Sequence, residues 1–492
     1  MHVLFRTDAN KDLGAGHLMR CLSLAHAMRT RGWSVTFLTC PLIPSYGERV
    51  SDAGCTLKIR TAMDDAQETE QIAREIHADW IVLDGYPFDA EYQRRLRKGR
   101  CKILCLDDQG AFDVYEVDVI LNQNISAREA WYSGKAPGSR LLLGVKHVLL
   151  GPQFREWKHK RKTSTSVQRV LVTLGGADPK NITLKILRTL EMLPQSFSVD
   201  VVIGGVNLHR HDIEQYASSM KHPAHVLVDT KDMPSLMDRA DLAIAAAGTT
   251  SWELLFMGVP FVTGAFARNQ RANAEELGKQ NVAINAGWYP DAPEEALSAA
   301  IGALIDDAET RAFLSRRGLG IIDGKGADRV CDVLSVPLLK LREVTGEDSN
   351  LLFSWANDPV VRASSLSPDP IAWEQHQEWL RGKIADPHCN IYIGMNGKGT
   401  PVGQIRFDVR DDGDAEIDVH LAPDQRGKGL GSPLIIEGIQ RIFAQTQVTT
   451  VHAYVKTDNE GSRKAFLKAG FNEQGKATRH GKEVYHLVFN RS

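Results

Sequence analysis

Apolar runs alternate with amphipathic helical patterns from residue 1 to about residue 330. Met1–Arg6, Ser34–Thr39, Trp80–Asp84, Lys102–Asp107 and Val117–Asn122 are short and nearly continuous in apolar character. Continuous rather than alternating runs mark parallel strands buried on both faces. Between them, His17–Arg29 and Ala66–Ile76 repeat apolar residues at helical spacing. The alternation predicts βαβ units and therefore an α/β fold. Over Gly151–Arg169 the pattern breaks, and Trp157–Val167 is polar and basic. A solvated connection is expected over 151–168, with phosphate binding as the alternative.

A second α/β series follows. Arg169–Leu174, Ser198–Ile203, Ala224–Val228, Asp241–Ala246 and Pro260–Val262 read as strands. Helical patterns lie near Leu184–Leu193 and Trp252–Met257. Two Rossmann-like halves are thus expected, at 1–150 and 169–335, with a cleft between them. Nucleotides bind at the carboxyl ends of such strands.

The pattern changes again for 338–492. Leu338–Glu343, Ile391–Met395, Val402–Arg410, Glu416–Leu421, Thr450–Val455 and Val484–Asn490 read as strands. Asp348–Trp355, Leu430–Phe443 and Glu460–Ala469 read as helices. This mixture predicts a separate α+β domain.

Composition narrows the function classes. The chain has 492 residues, and at about 150 residues per domain it holds about three domains. A formal net charge of -2 gives no general pull toward nucleic acid or an anionic membrane. No apolar run is long enough for a membrane helix, and the first residues lack a signal-peptide pattern. A cytoplasmic protein with no membrane and no nucleic-acid partner is expected. The seven cysteines are scattered without a CxxC pair, so reduced thiols are expected and no metal site is.

Two glycine-rich turns carry the candidate chemistry. In Gln425-Arg-Gly-Lys-Gly-Leu-Gly431, glycines between a strand and a helix let successive N–H groups face an anion. The helix N-terminus adds partial positive charge, which suits a pyrophosphate. Glu416, Asp418 and His420 alternate along one strand and share a face. They form a candidate base set or an ordinary polar sheet face. Trp355–Arg362 and Ile371–Trp379 read as a core-facing aromatic stripe, favoured for Trp379. The region also resembles the acceptor-side helices of ribosomal-protein-type and amino-sugar-type GNAT enzymes, which implies an acceptor pocket as the alternative.

Near the start, Gly14-Ala-Gly16-His17 joins the first strand to a helix. Such a loop offers a diphosphate or sugar the helix N–H groups. His17, at the helix start, suits general acid/base work near neutral pH. The third glycine of GxGxxG is absent and no Gly-Lys-Ser/Thr follows, which argues against NAD and ATP. Leu174-Gly175-Gly176-Ala-Asp178 is a second small-residue turn. Gly248, Thr249, Thr250 and Ser251 are placed to donate to phosphate, and Glu253 to accept from a ribose. N-capping by the Thr/Ser run, with Glu253 as its box partner, is the alternative.

Arg426, Gly429 and Gly431 resemble the Arg-x-x-Gly-x-Gly signature of the GNAT acetyltransferases. Asn459–Phe471 resembles that family's second signature. The resemblance spans about Leu338 to Phe489 and implies acetyl-CoA as co-substrate. Its pyrophosphate would lie on Arg426, Gly427, Lys428, Gly429, Leu430 and Gly431. Its pantetheine would lie on a splayed strand at Ile417–Leu421, with Val419 and Leu421 among its contacts, and Asn459 near the thioester arm. Phe466 stands where many relatives carry a tyrosine that protonates the leaving thiolate. Tyr454, Tyr485 or water would replace it, or the thiolate leaves unassisted.

Val3–Asp8, Gly14–His17, Val82–Tyr86, Asp107-Asp108, Asp118–Asn122, Leu174–Asp178, Gly248–Pro260 and Asn269-Gln270 with Asn273 resemble GT-B-fold enzymes of UDP-sugars. MurG-type glycosyltransferases belong there, and the match is closer to the PseG-type hydrolase of pseudaminic-acid biosynthesis. The resemblance implies hydrolysis of UDP-2,4-diacetamido-2,4,6-trideoxy-β-L-altrose with inversion, His17 acting as base. Asp84 and Tyr86 would help bind the sugar, Glu253 would hold the ribose, and Asn269 and Gln270 would contact the substrate. A UDP-activated amino sugar and acetyl-CoA are the expected partners. That pathway also uses a GNAT enzyme, of PseH type, one step earlier. A glycosyltransferase or a non-catalytic nucleotide-sugar sensor fused to a GNAT enzyme remain the alternatives.

Overall fold

The computed structural model describes residues 1–10, 14–99, 101–157, 164–336, 339–365, 367–396 and 399–491. The chain divides into two compact units, Met1–Asp332 and Val333–Ser492. The expected fold classes are both present: a pair of Rossmann-like α/β halves, then an α+β unit.

The first half of unit one has seven strands: β1 (His2–Thr7), β2 (Ser34–Thr39), β3 (Thr56–Ile59), β4 (Trp80–Asp84), β5 (Lys102–Leu106), β6 (Val119–Asn122) and β7 (Arg140–Leu143). All pair in parallel, in the order β3-β2-β1-β4-β5-β6-β7. The second half has β8 (Arg169–Thr173), β9 (Ser198–Ile203), β10 (Ala224–Val228), β11 (Leu242–Ala246), β12 (Phe261–Ala265) and β13 (Ile284–Trp288). Its parallel order is β10-β9-β8-β11-β12-β13. In each half the strand order reverses beside the first strand, at β1/β4 and at β8/β11. Chain leaving those strand ends opens a crevice there.

The expected boundary at 150/151 is not where the cores part. Val148, Leu150 and Phe154 pack into the second half's core with Leu171, Leu236 and Trp252. Phe154 is fully buried, so the start of 151–168 is anchored rather than solvated. The basic run at 158–163 lies outside the described residues. The helix Gly326–Ser335 returns to the first half, where Arg329 donates to the Lys146 carbonyl and Arg31 pairs with Asp332.

Unit two has β14 (Lys340–Glu343), β15 (Cys389–Met395), β16 (Pro401–Val409), β17 (Asp414–Leu421), β18 (Thr450–Lys456), β19 (Asn472–Arg479) and β20 (Lys482–Asn490). The expected first residue of β14, Leu338, lies outside the described residues, and the described strand begins at Lys340. The order is β14-β15-β16-β17-β18-β20-β19, antiparallel except for β17 beside β18. Helix Gly431–Gln445 packs Leu434, Ile435, Ile439 and Ile442 against one face of this sheet.

Candidate functional site

The two crevices of unit one face one cavity of about 630 Å³. Gly14, Gly16, His17 and Tyr86 line it from the first half. Gly175, Gly176, Gly248, Thr249, Thr250, Glu253, Asn269 and Gln270 line it from the second. Strand β1 delivers the glycine loop and β4 delivers Tyr86, so both flank the reversal point. The halves meet closely: a Cβ on Gly14 would stand 3.7 Å from Ala177 Cβ of the second half. Arg49 donates to the carbonyls of Asp229 and Thr230, and Asn273 donates to Asn124 at 3.0 Å.

His17 stands at the start of helix Gly16–Thr30. Its Nδ1 lies 2.6 Å from Asp84 Oδ1. An ionised carboxylate only accepts, so Nδ1 carries a hydrogen, and in the neutral ring the lone pair then sits on Nε2. Asp84 is fully buried and also accepts from Arg20 Nε at 2.7 Å and Nη2 at 2.6 Å. Arg20 in turn donates to Asp108 at 2.7 Å. Burial alone would raise the Asp84 carboxyl, but Arg20 and His17 outweigh it and hold it well below the usual range. Asp108 is held down by Arg20 in the same way, against its own burial.

Asp84 therefore does not touch the cavity as the sequence predicts; it lies behind His17 and orients it. Tyr86 does face the cavity, edge-on to His17 at 5.4 Å. Its hydroxyl accepts from Asn269 Nδ2 at 2.6 Å, across the two halves. Arg20 and Asp108 escaped the sequence reading as site residues. The signal was available, because His17 and Arg20 are three apart on one helix and such residues are neighbours.

The Gly248–Glu253 run is partly as expected. Gly248 caps helix Thr249–Met257, with no side-chain cap. The capping-box alternative is thus not formed. Thr249 and Thr250 occupy the first helical positions, whose N–H groups lack intrahelical acceptors. Ser251 is fully buried and donates to the Ala246 carbonyl at 3.0 Å, so it does not face a ligand. Glu253 lies past the first turn and reaches the cavity wall. Burial alone pushes its carboxyl from an ordinary 4.5 up to about 8. Gln270 Oε1 accepts from the N–H groups of Phe266 and Ala267, which leaves its amide NH2 for the cavity.

In unit two, β17 pairs with β18 only over Asp414–Glu416. From Ile417 to Leu421 the edge facing β18 is open, while the other edge stays paired with β16. Val419 and Leu421 lie on this open stretch. An open edge offers unpaired backbone groups to an extended ligand, which fits the pantetheine arm. Gly427 and Gly429 both have φ of +73°. Gly431 begins helix Gly431–Gln445. Only glycine adopts the two left-handed positions freely, and together they turn N–H groups inward.

Three members of this set have other duties. Arg426 pairs with Asp358 at 2.6 Å, and the side chain of Leu430 is in the core. Asn459 Oδ1 caps helix Glu460–Lys468 by accepting from Ser462 N at 3.1 Å. Lys428 is exposed, and its Nζ is 3.4 Å from Gln425. Phe466 packs edge-on to Phe471 in the core. Tyr454 stacks on His486, and Tyr485 lies under Arg463. Among the described residues, no group of three or more His, Cys, Asp or Glu is arranged to hold a metal. No described helix is long and apolar enough to cross a membrane.

Part of each unit matches a known family model. Residues 339–472 match the model of the acetyltransferase (GNAT) domain. Residues 169–318 match that of the glycosyltransferase family 28 C-terminal domain. Three relatives extend this. The spore coat polysaccharide biosynthesis protein SpsG of Bacillus subtilis is 26% identical, over 68% of this chain and 98% of its own. The UDP-2,4-diacetamido-2,4,6-trideoxy-beta-L-altropyranose hydrolase of Campylobacter jejuni is 23% identical, over 58% of this chain and 98% of its own. The acetyltransferase PseH of Campylobacter jejuni is 24% identical, over 32% of this chain and 95% of its own. The chain is thus similar to a nucleotide-sugar hydrolase and to GNAT acetyltransferases.

Proposed function

We propose that the chain is a bifunctional enzyme of nonulosonic (pseudaminic) acid biosynthesis. Unit two transfers acetyl from acetyl-CoA to the 4-amino group of a UDP-4-amino sugar. Unit one then hydrolyses the resulting UDP-2,4-diacetamido-2,4,6-trideoxy-β-L-altrose to UDP and free sugar. The observation that carries the hydrolase reading is the His17–Asp84 pair, with His17 on the cavity wall and Asp84 buried behind it. The likeness of the two units to the two Campylobacter jejuni enzymes supports the substrate and the order of steps.

Nε2 of His17 takes a proton from water as the water oxygen attacks the anomeric carbon. The bond from that carbon to the phosphate oxygen breaks, and UDP leaves with inversion. The N–H groups of Thr249 and Thr250 meet the charge that develops on the leaving diphosphate. Glu253 accepts from the ribose hydroxyls. Tyr86, Asn269 and Gln270 face the sugar, and the glycines at 14, 16, 175, 176 and 248 let backbone approach it.

A glycosyltransferase reading draws on the family 28 match. NMR of the full chain with the UDP-diacetamido sugar and no acceptor separates the two. Free sugar and UDP in equal amounts support the hydrolase; intact nucleotide sugar sinks it.

A further inference from the structure

We propose that His420 is the proton acceptor for the amine in the acetyl-transfer step; this rests on the acetyltransferase reading of unit two. Glu416, Asp418 and His420 share one face of β17, and the structure separates them. Glu416 is taken up by Arg410 at 2.8 Å and by Arg479 at 3.5 Å. Asp418 is exposed and stands opposite Arg406 on β16. His420 lies on the open stretch of β17, opposite Gln404 and edge-on to Trp355 at 6.2 Å. Its Nε2 is shut off from solvent and has no hydrogen-bond partner.

A buried ring nitrogen without a partner is costly unless a ligand fills the gap. The place suits an acceptor amine. The open backbone edge is on the same stretch of strand, and the Arg426–Gly429 turn follows within a few residues. Arg426 ties that turn to Asp358, the cap of helix Pro359–Ser364. The charged groups around the ring are Asp418 from β17, Arg406 from β16, Arg426 from the turn and Arg362 from that helix. Burial is the largest influence and lowers the imidazole; Asp418 opposes it and the three arginines add to it. The ring is therefore neutral near pH 7 and offers a lone pair.

An amine that arrives as an ammonium ion cannot attack. His420 takes one proton from it, and the freed nitrogen lone pair forms a bond to the thioester carbon. The C–S bond then breaks with its electrons on sulfur. The second proton leaves nitrogen and ends on the CoA thiol, and His420 returns its own proton to water.

The test is a pH profile of CoA release by full-length wild type, H420Q, H420A and D418N. The acceptor is UDP-2-acetamido-4-amino-2,4,6-trideoxy-β-L-altrose. The expected kcat/KM of the His420 variants is about 100-fold below wild type near neutral pH. That gap closes by about tenfold per pH unit as the solution itself supplies free amine. Acetyl-CoA binding, followed by calorimetry, stays near the wild-type value. A loss of equal size at every pH, or a loss below about fivefold, overturns the assignment. A closing gap in D418N instead of the His420 variants moves the role to Asp418. Turnover of a different amine sinks the acceptor reading alone, and the same comparison on that amine decides His420.

Discussion

Asp84 Oδ1 accepts from both His17 and Arg20, and its Oδ2 accepts from Arg20 and Cys21, so its charge serves orientation and not ligand contact. Asp84→Asn keeps the shape and removes the charge that fixes the His17 tautomer. UDP release by this variant should fall about 100-fold or more, with UDP affinity little changed. Stopped assays of UDP release and calorimetry with UDP check the two halves of that statement. Glu253 gives a second prediction. Its folded-state pKa of about 8 lies above the ordinary 4.5, so between those values the folded state holds the extra proton. Stability contributed by the protonated form is present at low pH and is lost as pH rises toward 8. Glu253→Gln should therefore match wild type below about pH 4.5 and gain about 2 °C or more in Tm at pH 8. The same variant should bind UDP more weakly. Thermal melts across pH, with and without UDP, read both effects. Much of this residue-level detail was visible in the sequence: His17, Thr249, Thr250 and Glu253 all reach the cavity. Ser251 did not conform, because each helical residue turns about 100° from the last. Two positions beyond Thr249 the hydroxyl points into the core.

Close packing between elements sets the next scale. Helix Gly431–Gln445 lies on the sheet through Gly438, where a Cβ would stand 2.2 Å from Ile405 Cδ1 and 3.0 Å from Phe407 Cζ. Alanine is the better helix former by about 1 kcal/mol, yet here overpacking wins. Gly438→Ala should cost unit two about 1–3 kcal/mol. A lower denaturant midpoint for CoA release, with UDP release unaffected, is the expected reading. The strands hidden from the sequence share one property. β3, β7, β13 and β19 are each at the edge of a sheet. An edge strand is wetted on one side; β19 is mostly exposed, and β3 has no buried residue. Such strands lack the apolar run that marks β4 or β11, which are buried at every position. The splay of β17 from β18 is a pairing event between distant segments, so only the family resemblance pointed to it.

At the scale of the whole molecule, the proposed function gives the two units two separable reactions in one chain. His17→Ala in the full chain should release CoA at the wild-type rate and then stop. The acetylated nucleotide sugar should accumulate, visible by mass spectrometry as a gain of one acetyl group. If UDP still appears at the wild-type rate, His17 is not the base. The three sheets were legible because the pattern of apolar runs changes from one to the next. The join at 150/151 was not, since polar residues near Trp157 mask the anchoring of Val148, Leu150 and Phe154 in the next core.

The helix Gly326–Ser335 has a consequence for synthesis on the ribosome. Its Arg329 grips the Lys146 carbonyl from 183 residues downstream, and Asp328 meets Arg31 from 297 downstream. At about 5–20 residues per second, the N-terminal half waits about 10–40 s after Lys146 is made before this helix emerges. Nascent chains halted before residue 326 should thus expose the surface around residues 146–148 to proteases and chaperones, even with β1 to β7 fully translated.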